Sequence, residues 1–188
     1  MAINLVSDTI DKEDVASLVD WLTQEEIPQL TKGPLTKKYE TKFSNWLGTV
    51  NSVFVNSGSS AILLGLTALK FGGKLKNNKI VVPDVSWATD LSSPLILGME
   101  TFVVDCNQED LSADLHHLEQ LFKEEKPAAF ILVSVLGLVP NMDRVVELCN
   151  TYDVLLIEDT CESLGSEFGG KKLGTFGCMS FFSTYFGH

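Results

Sequence analysis

Apolar residues along the chain recur first at helical spacing and then in short unbroken runs. From Asp11 to about Gln24, Val15, Leu18, Val19 and Leu22 fall on one face of a helix, and acidic residues sit near its start, where the helix dipole favours them. A break at Lys32-Gly33-Pro34 follows, after which Tyr39, Phe43, Trp46 and Leu47 mark a second helix that Gly48 can terminate. From residue 52 the pattern changes. Apolar runs at Ser52–Val55, Lys79–Val82, Thr101–Val104, Ala128–Val135 and Val154–Ile157 read as buried strands. Helix candidates alternate with them at Ser60–Lys70, Asp90–Leu97, Asp114–Phe122 and Asp143–Tyr152. Strands apolar on both sides need cover on both faces, and intervening helices supply it. The pattern therefore predicts an α/β fold, with crossover helices on a largely parallel sheet.

Composition narrows the picture. At 188 residues and 45% hydrophobic content the chain can bury a sizeable core, and its length suits one domain better than two. A formal net charge of −11 argues against a nucleic-acid surface, so any phosphate must be held locally. The N-terminus lacks a basic region followed by a long apolar stretch, and no later run approaches bilayer length, so no membrane association and a cytoplasmic location are expected. Cys106, Cys149, Cys161 and Cys178 lack the paired close spacing of a zinc site. They read as small buried side chains in a reducing compartment, and no metal site is expected.

In a parallel sheet, ligands gather at the carboxyl ends of strands. After the run ending at Val55, Asn56-Ser57-Gly58-Ser59-Ser60-Ala61 leads directly into a helix, so free amides, hydroxyls and the helix dipole converge. That is a candidate phosphate cradle or an ordinary serine-capped turn. Val82-Pro83-Asp84-Val85-Ser86-Trp87 places an indole past a strand end, where it stacks on a flat heteroaromatic ring or fills the core. Ile157-Glu158-Asp159 delivers carboxylates at the end of an apolar strand. One of them can keep a pyridine nitrogen protonated or, alternatively, be a solvated strand end or helix cap.

Taken in order, these pieces resemble the DegT/DnrJ/EryC1/StrS family of sugar aminotransferases. The matching segments are Thr31-Lys32-Gly33-Pro34, Asn56-Ser57-Gly58-Ser59-Ser60-Ala61, Val82-Pro83 with Trp87, Gly137-Leu138-Val139-Pro140-Asn141-Met142-Asp143, Ile157-Glu158-Asp159 and Leu173-Gly174-Thr175-Phe176-Gly177. The resemblance implies the large domain of a fold-type I enzyme dependent on pyridoxal 5'-phosphate (PLP), a three-layer α/β/α structure with a mostly parallel sheet. It implies phosphate binding by Gly58, Ser59 and Ser60, ring stacking by Trp87, and a salt bridge from Asp159 to the pyridine nitrogen. Glu162 occupies a place that is commonly glutamine, and Ser183 falls where the family has a serine that also reaches the phosphate. The register from Gly177 through Ser183 puts His188 where the family carries its Schiff-base lysine.

That substitution changes the chemistry the resemblance implies. Imidazole has no primary amine with which to hold PLP covalently, but it titrates near neutral pH and can move protons. A histidine here, with Glu162-Ser163 after the cofactor aspartate, is similar to the branch that removes the C-3 hydroxyl of nucleotide-linked 4-keto-6-deoxy sugars. In that branch glutamate converts PLP to pyridoxamine 5'-phosphate. A tag or a disordered end is the competing reading of His188, and Lys171 and Lys172 are lysines of the wrong register in an exposed turn. The family's chains continue further, so residues 1–188 correspond to an N-terminal segment and the first part of the large domain, without the C-terminal small domain. Three functions stay open: a dehydratase, an aminotransferase relative that lost its lysine, and a non-catalytic remnant. A homodimer is expected of the full-length parent, with a nucleotide-linked keto sugar and glutamate as its small-molecule partners.

Overall fold

In the computed structural model, residues 10–185 are described. They divide into two compact units, residues 10–54 together with Tyr185, and residues 55–184.

The first unit holds both early helices. α1, Lys12–Leu22, starts at Asp11, whose side chain accepts from the Glu13 and Asp14 amides while Asp14 reaches back to the Asp11 amide. This reciprocal cap satisfies amides that the helix itself leaves unpaired. The stripe of Val15, Leu18, Val19 and Leu22 is exposed along its whole length. α2, Pro34–Leu47, begins on the proline and ends at a left-handed Gly48. Proline suits the first helical position because its missing N–H would be unpaired there in any case.

The expected strand at Ser52–Val55 does not form. Its backbone lies in no ladder among the described residues, Val53 and Phe54 are exposed, and the Phe54 amide donates to Glu40 Oε1 at 3.0 Å. That bond, followed by the ion pair with Lys32 at 3.2 Å, holds the Glu40 carboxyl below its ordinary range. A strand is a property of a pair, and an apolar run with no neighbour within reach stays merely extended.

The second unit confirms the α/β expectation. β1, Lys79–Pro83, β2, Glu100–Val104, β3, Ala129–Val133, β4, Leu155–Asp159, and β7, Met179–Phe181, form one sheet in the order β2-β1-β3-β4-β7. Every pairing within it is parallel. β5, Glu167–Phe168, and β6, Lys171–Lys172, form a small hairpin closed by Gly169 and Gly170, both at positive φ. Such a two-residue turn demands left-handed backbone that glycine adopts without strain.

Side chains alternate across the pleat, so each strand feeds two cores. Ile80, Val82, Ala129, Ile131, Val133, Ile157 and Phe181 face α3, Gly58–Phe71, which packs with α4, Ala88–Ile96. Val81, Val104, Phe130, Leu132 and Leu156 face α5, Leu115–Glu125, and α6, Met142–Thr151. The arrangement is the three-layer α/β/α structure expected. Burying each large apolar side chain contributes roughly 1.5–3 kcal/mol, which is why unbroken apolar runs are stable only in this doubly covered position.

The chain moves from β1 outward to β2, then returns past β1 to β3 and continues to β4 and β7. The order therefore reverses between β1 and β3, and the crevice outside the carboxyl ends of these strands is where ligands bind in such sheets. Among the described residues no helix is long and apolar enough to cross a membrane. One composition-based expectation needs correcting. Of four unbridged cysteines only Cys149 is buried, while Cys106 and Cys161 are partly exposed and Cys178 is exposed.

Candidate active site

Four segments meet at the carboxyl end of the sheet in the second unit. The first is the start of α3. Ser57 is in extended conformation as its N-cap, and its Oγ accepts from the Ser60 amide at 3.1 Å. The amides of Gly58 and Ser59 precede the first internal bond of the helix and have no acceptor among the described residues. A side chain at Gly58 would bring its Cβ to 3.1 Å from Cys161 Sγ and 3.7 Å from Ser183 Cβ. Glycine therefore lets the helix start lie directly against the turns that follow β4 and β7. Two residues expected at the phosphate, Gly58 and Ser183, are neighbours although distant in sequence.

The second segment follows β1. Trp87 is the N-cap of α4 and leaves its indole exposed, at 62% of its surface, so the core-filling alternative is excluded. Its carbonyl accepts from the Asp90 amide at 2.9 Å.

The third is the end of β4, where the pleat separates two adjacent carboxylates. Glu158 turns toward the α5–α6 side and accepts from the amides of Gly174, Phe176 and Gly177, each at 2.7 Å. Burial pushes its carboxyl up, against the lowering effect of those three bonds and of Lys171. Asp159 turns the other way, toward α3 and α4. It is buried, and its Oδ1 accepts from the Cys161 amide at 2.9 Å. The turn beyond it is pinned from both sides: Thr160 donates through N and Oγ1 to the Phe181 carbonyl at 2.9 and 2.8 Å, and Ser163 Oγ donates to the Ser134 carbonyl at 2.6 Å.

The fourth segment is the loop after β3. Glu162 Oε2 accepts from the Leu136 amide at 2.8 Å, and Leu136 sits at φ 53°. A non-glycine residue is strained there, and the Glu162 carboxylate helps to hold it. Lys171 and Lys172 are engaged in the hairpin, with Lys171 Nζ 4.1 Å from the centre of the Phe176 ring and Lys172 Nζ 3.8 Å from Glu167 Oε1. His188 lies outside the described residues.

Two residues of this site escaped the sequence reading. Asp90, in the first turn of α4, is completely buried, and among the described residues its carboxyl oxygens meet no donor in full hydrogen-bond geometry, although the Trp87 amide stands near enough to favour the charged form. Thr89 Oγ1 beside it is also enclosed without a partner. Burial first, then the charge of Asp159, pushes the Asp90 carboxyl up to about 8. Burial and Asp159 likewise push the Cys161 thiol up, so it stays protonated and unreactive. An acidic residue in the first turn of a helix ordinarily signals a solvated partner for the helix dipole, which is why Asp90 carried no special signal. Among the described residues no group of three or more His, Cys, Asp or Glu is arranged to hold a metal ion.

The family model of the DegT/DnrJ/EryC1/StrS aminotransferases matches residues 8–187. A GDP-4-keto-6-deoxy-D-mannose 3-dehydratase of Yersinia pseudotuberculosis is 36% identical over 161 residues, which are 84% of this chain and 41% of that protein. A GDP-perosamine synthase of Escherichia coli is 30% identical over 158 residues, 84% of this chain and 42% of that one. The solved structure of an Escherichia coli GDP-4-keto-6-deoxy-D-mannose 3-dehydratase with bound hydrated PLP superposes with a TM-score of 0.84 at 32% identity, over 98% of this chain and 47% of that chain. The chain thus spans less than half the length of these relatives. Because the match runs along almost its whole length, the chain belongs to the DegT/DnrJ/EryC1/StrS aminotransferase family.

Proposed function

We propose that the chain is the cofactor-binding portion of a PLP-dependent enzyme of nucleotide-sugar metabolism that removes the C-3 hydroxyl of a GDP-linked 4-keto-6-deoxy sugar. The observation that carries the reading is Asp159, a buried carboxyl at the end of an apolar strand, turned toward the same crevice as the start of α3. The residues present fit the group. Gly58 leaves open space that a Cβ would close, its amide and that of Ser59 can donate to a phosphate, and a buried carboxyl with no partner in full hydrogen-bond geometry stands beside Asp159.

In this reading the amides of Gly58 and Ser59 and the hydroxyls of Ser60 and Ser183 hold the phosphate. Trp87 stacks its exposed indole on the ring, Asp159 keeps the proton on the ring nitrogen, and Glu162 holds the loop at Leu136 along the crevice. PLP bound there would supply the electron sink for loss of the hydroxyl, with glutamate as the amino donor. His188, at the register of the family's lysine, moves the proton without tethering the cofactor. The Yersinia relative, a 3-dehydratase, supports this branch of the family. The unspanned length of the relatives would carry the small domain, and the full-length protein would be a cytoplasmic homodimer.

A full-length protein carrying this chain, incubated with PLP, glutamate and GDP-4-keto-6-deoxymannose, should yield the 3-deoxy sugar and ammonia. Borohydride should fix no PLP to it, and His188→Asn should abolish turnover. An amino sugar as product, with PLP fixed to a lysine by borohydride, would assign the chain instead to the aminotransferase side, where the perosamine synthase relative stands. Asp159→Asn should cripple turnover and alter the cofactor spectrum.

A further inference from the structure

The proposed function employs Asp159 and leaves Asp90 and Thr89 without a task. A fully buried carboxyl whose oxygens meet no donor in full hydrogen-bond geometry, with only the Trp87 amide near it, is a costly arrangement for a fold to contain. The group facing Asp90 is the Asp159 carboxyl, close enough for its charge and hydrogen bonding to act on Asp90. Asp159 offers only another acceptor, unless one of the two carries a proton. Two carboxyls in contact in a site sheltered from water do not both ionise.

We propose that Asp90 is a positioning residue for Asp159: the two carboxyls hold one proton between them, carried by Asp90, so that the pair presents a single negative charge, on Asp159, to the cofactor's ring nitrogen. The inference rests on the role given to Asp159 and adds its partner. The Asp90 O–H donates to one side of the Asp159 carboxylate while the Cys161 amide donates to Oδ1. The carboxylate is thereby oriented before any ligand arrives, and its charge is balanced when a ring N–H meets it. Thr89 Oγ1, on the next residue, is a second enclosed polar atom at the same pole.

The arrangement has a signature in the protein without cofactor. Asp90 keeps its proton up to about pH 8 in the folded state, and in the unfolded chain it releases it near the ordinary aspartate value of about 4. Between those values unfolding releases a proton, so stability falls as pH rises from about 4 to about 8 and levels off beyond. Other charged groups on the elements packed against α4 lie at the far end. They are Lys70 on α3, which donates to the Leu97 carbonyl, Lys79 at the start of β1 and Glu100 at the start of β2. Near Asp90 stand Asp159 and the Cys161 thiol, and the thiol stays neutral through this window.

Thermal melting of the 188-residue chain without PLP, followed from about pH 5 to about pH 8, reads this directly. Asp90→Asn should be more stable than the unchanged chain by a margin that widens with pH, reaching several degrees at the upper end. Asp159→Asn should shorten the slope without removing it, because burial alone also holds the Asp90 proton. Carbon-detected NMR should show the Asp90 carboxyl protonated at pH 7 and ionising about one unit higher. In the full-length protein, Asp90→Ala should weaken PLP binding by about tenfold, the loss of one hydrogen bond to a charged group, and Asp90→Asn, which keeps an N–H donor, should restore it. An Asp90 carboxyl already ionised at pH 7, or identical pH profiles for the chain and Asp90→Asn, would overturn the pairing. Failure of the full-length protein to bind PLP at all would sink the functional reading and the cofactor clause with it. The melting and NMR results would still decide whether the proton is shared.

Discussion

At the scale of single residues, the adjacent carboxylates Glu158 and Asp159 show how one strand end serves two purposes. The pleat sends them to opposite faces. Glu158 gathers three amides from the Gly174–Gly177 turn and so acts as a structural anchor, whereas Asp159 faces the crevice where α3 and α4 begin. Glu158→Ala leaves three amides without their acceptor and should cost about 3 kcal/mol of stability in urea unfolding. Because burial raises the Glu158 carboxyl, the substitution should also remove that group's own share of the fall in stability with rising pH. Sequence named Asp159 from its place at the end of an apolar strand. It missed Asp90, because whether an acidic residue in a helix's first turn meets water or another carboxyl depends on what packs over it.

At the scale of elements, hydrophobic periodicity located six helices and four strands of the main sheet to within a few residues. It failed where strand formation depends on a neighbour. Ser52–Val55 has the apolar composition of a strand and no ladder, while Met179–Phe181 is short and unremarkable in sequence yet pairs with β4 as β7. β7 matters for the site because its continuation carries Ser183 to Gly58. Its seat depends on Gly65 of α3, where a Cβ would stand 2.5 Å from Met179 Sδ and from a Phe181 ring carbon. Gly65→Leu should therefore destabilise the second unit by about 1–3 kcal/mol through overpacking, seen as a lower urea midpoint, with Gly65→Ala milder.

At the scale of the whole molecule, the formal charge of −11 leaves the local amides at the start of α3, rather than a basic surface, to receive a phosphate. The chain covers 41–47% of the similar dehydratases. A full-length protein should be a homodimer by light scattering, and a fully active monomer would refute that expectation. A monomeric 188-residue chain would not bear on it.

What sequence by itself determined is whatever local pattern and composition control. This covers the alternation of helices and doubly buried strands, the capped helix start at Ser57, the indole past β1, and the carboxylate at the end of β4. Periodicity and capping act over a few residues, so they survive in a one-dimensional reading. Only the tertiary structure decided that Gly58 touches Cys161 and lies beside Ser183, that Glu162 holds the Leu136 amide, and that Asp90 meets Asp159. Those juxtapositions come from strand order and crossover direction, which place segments distant in sequence against one another. Burial then sets the protonation of the carboxyls that meet there.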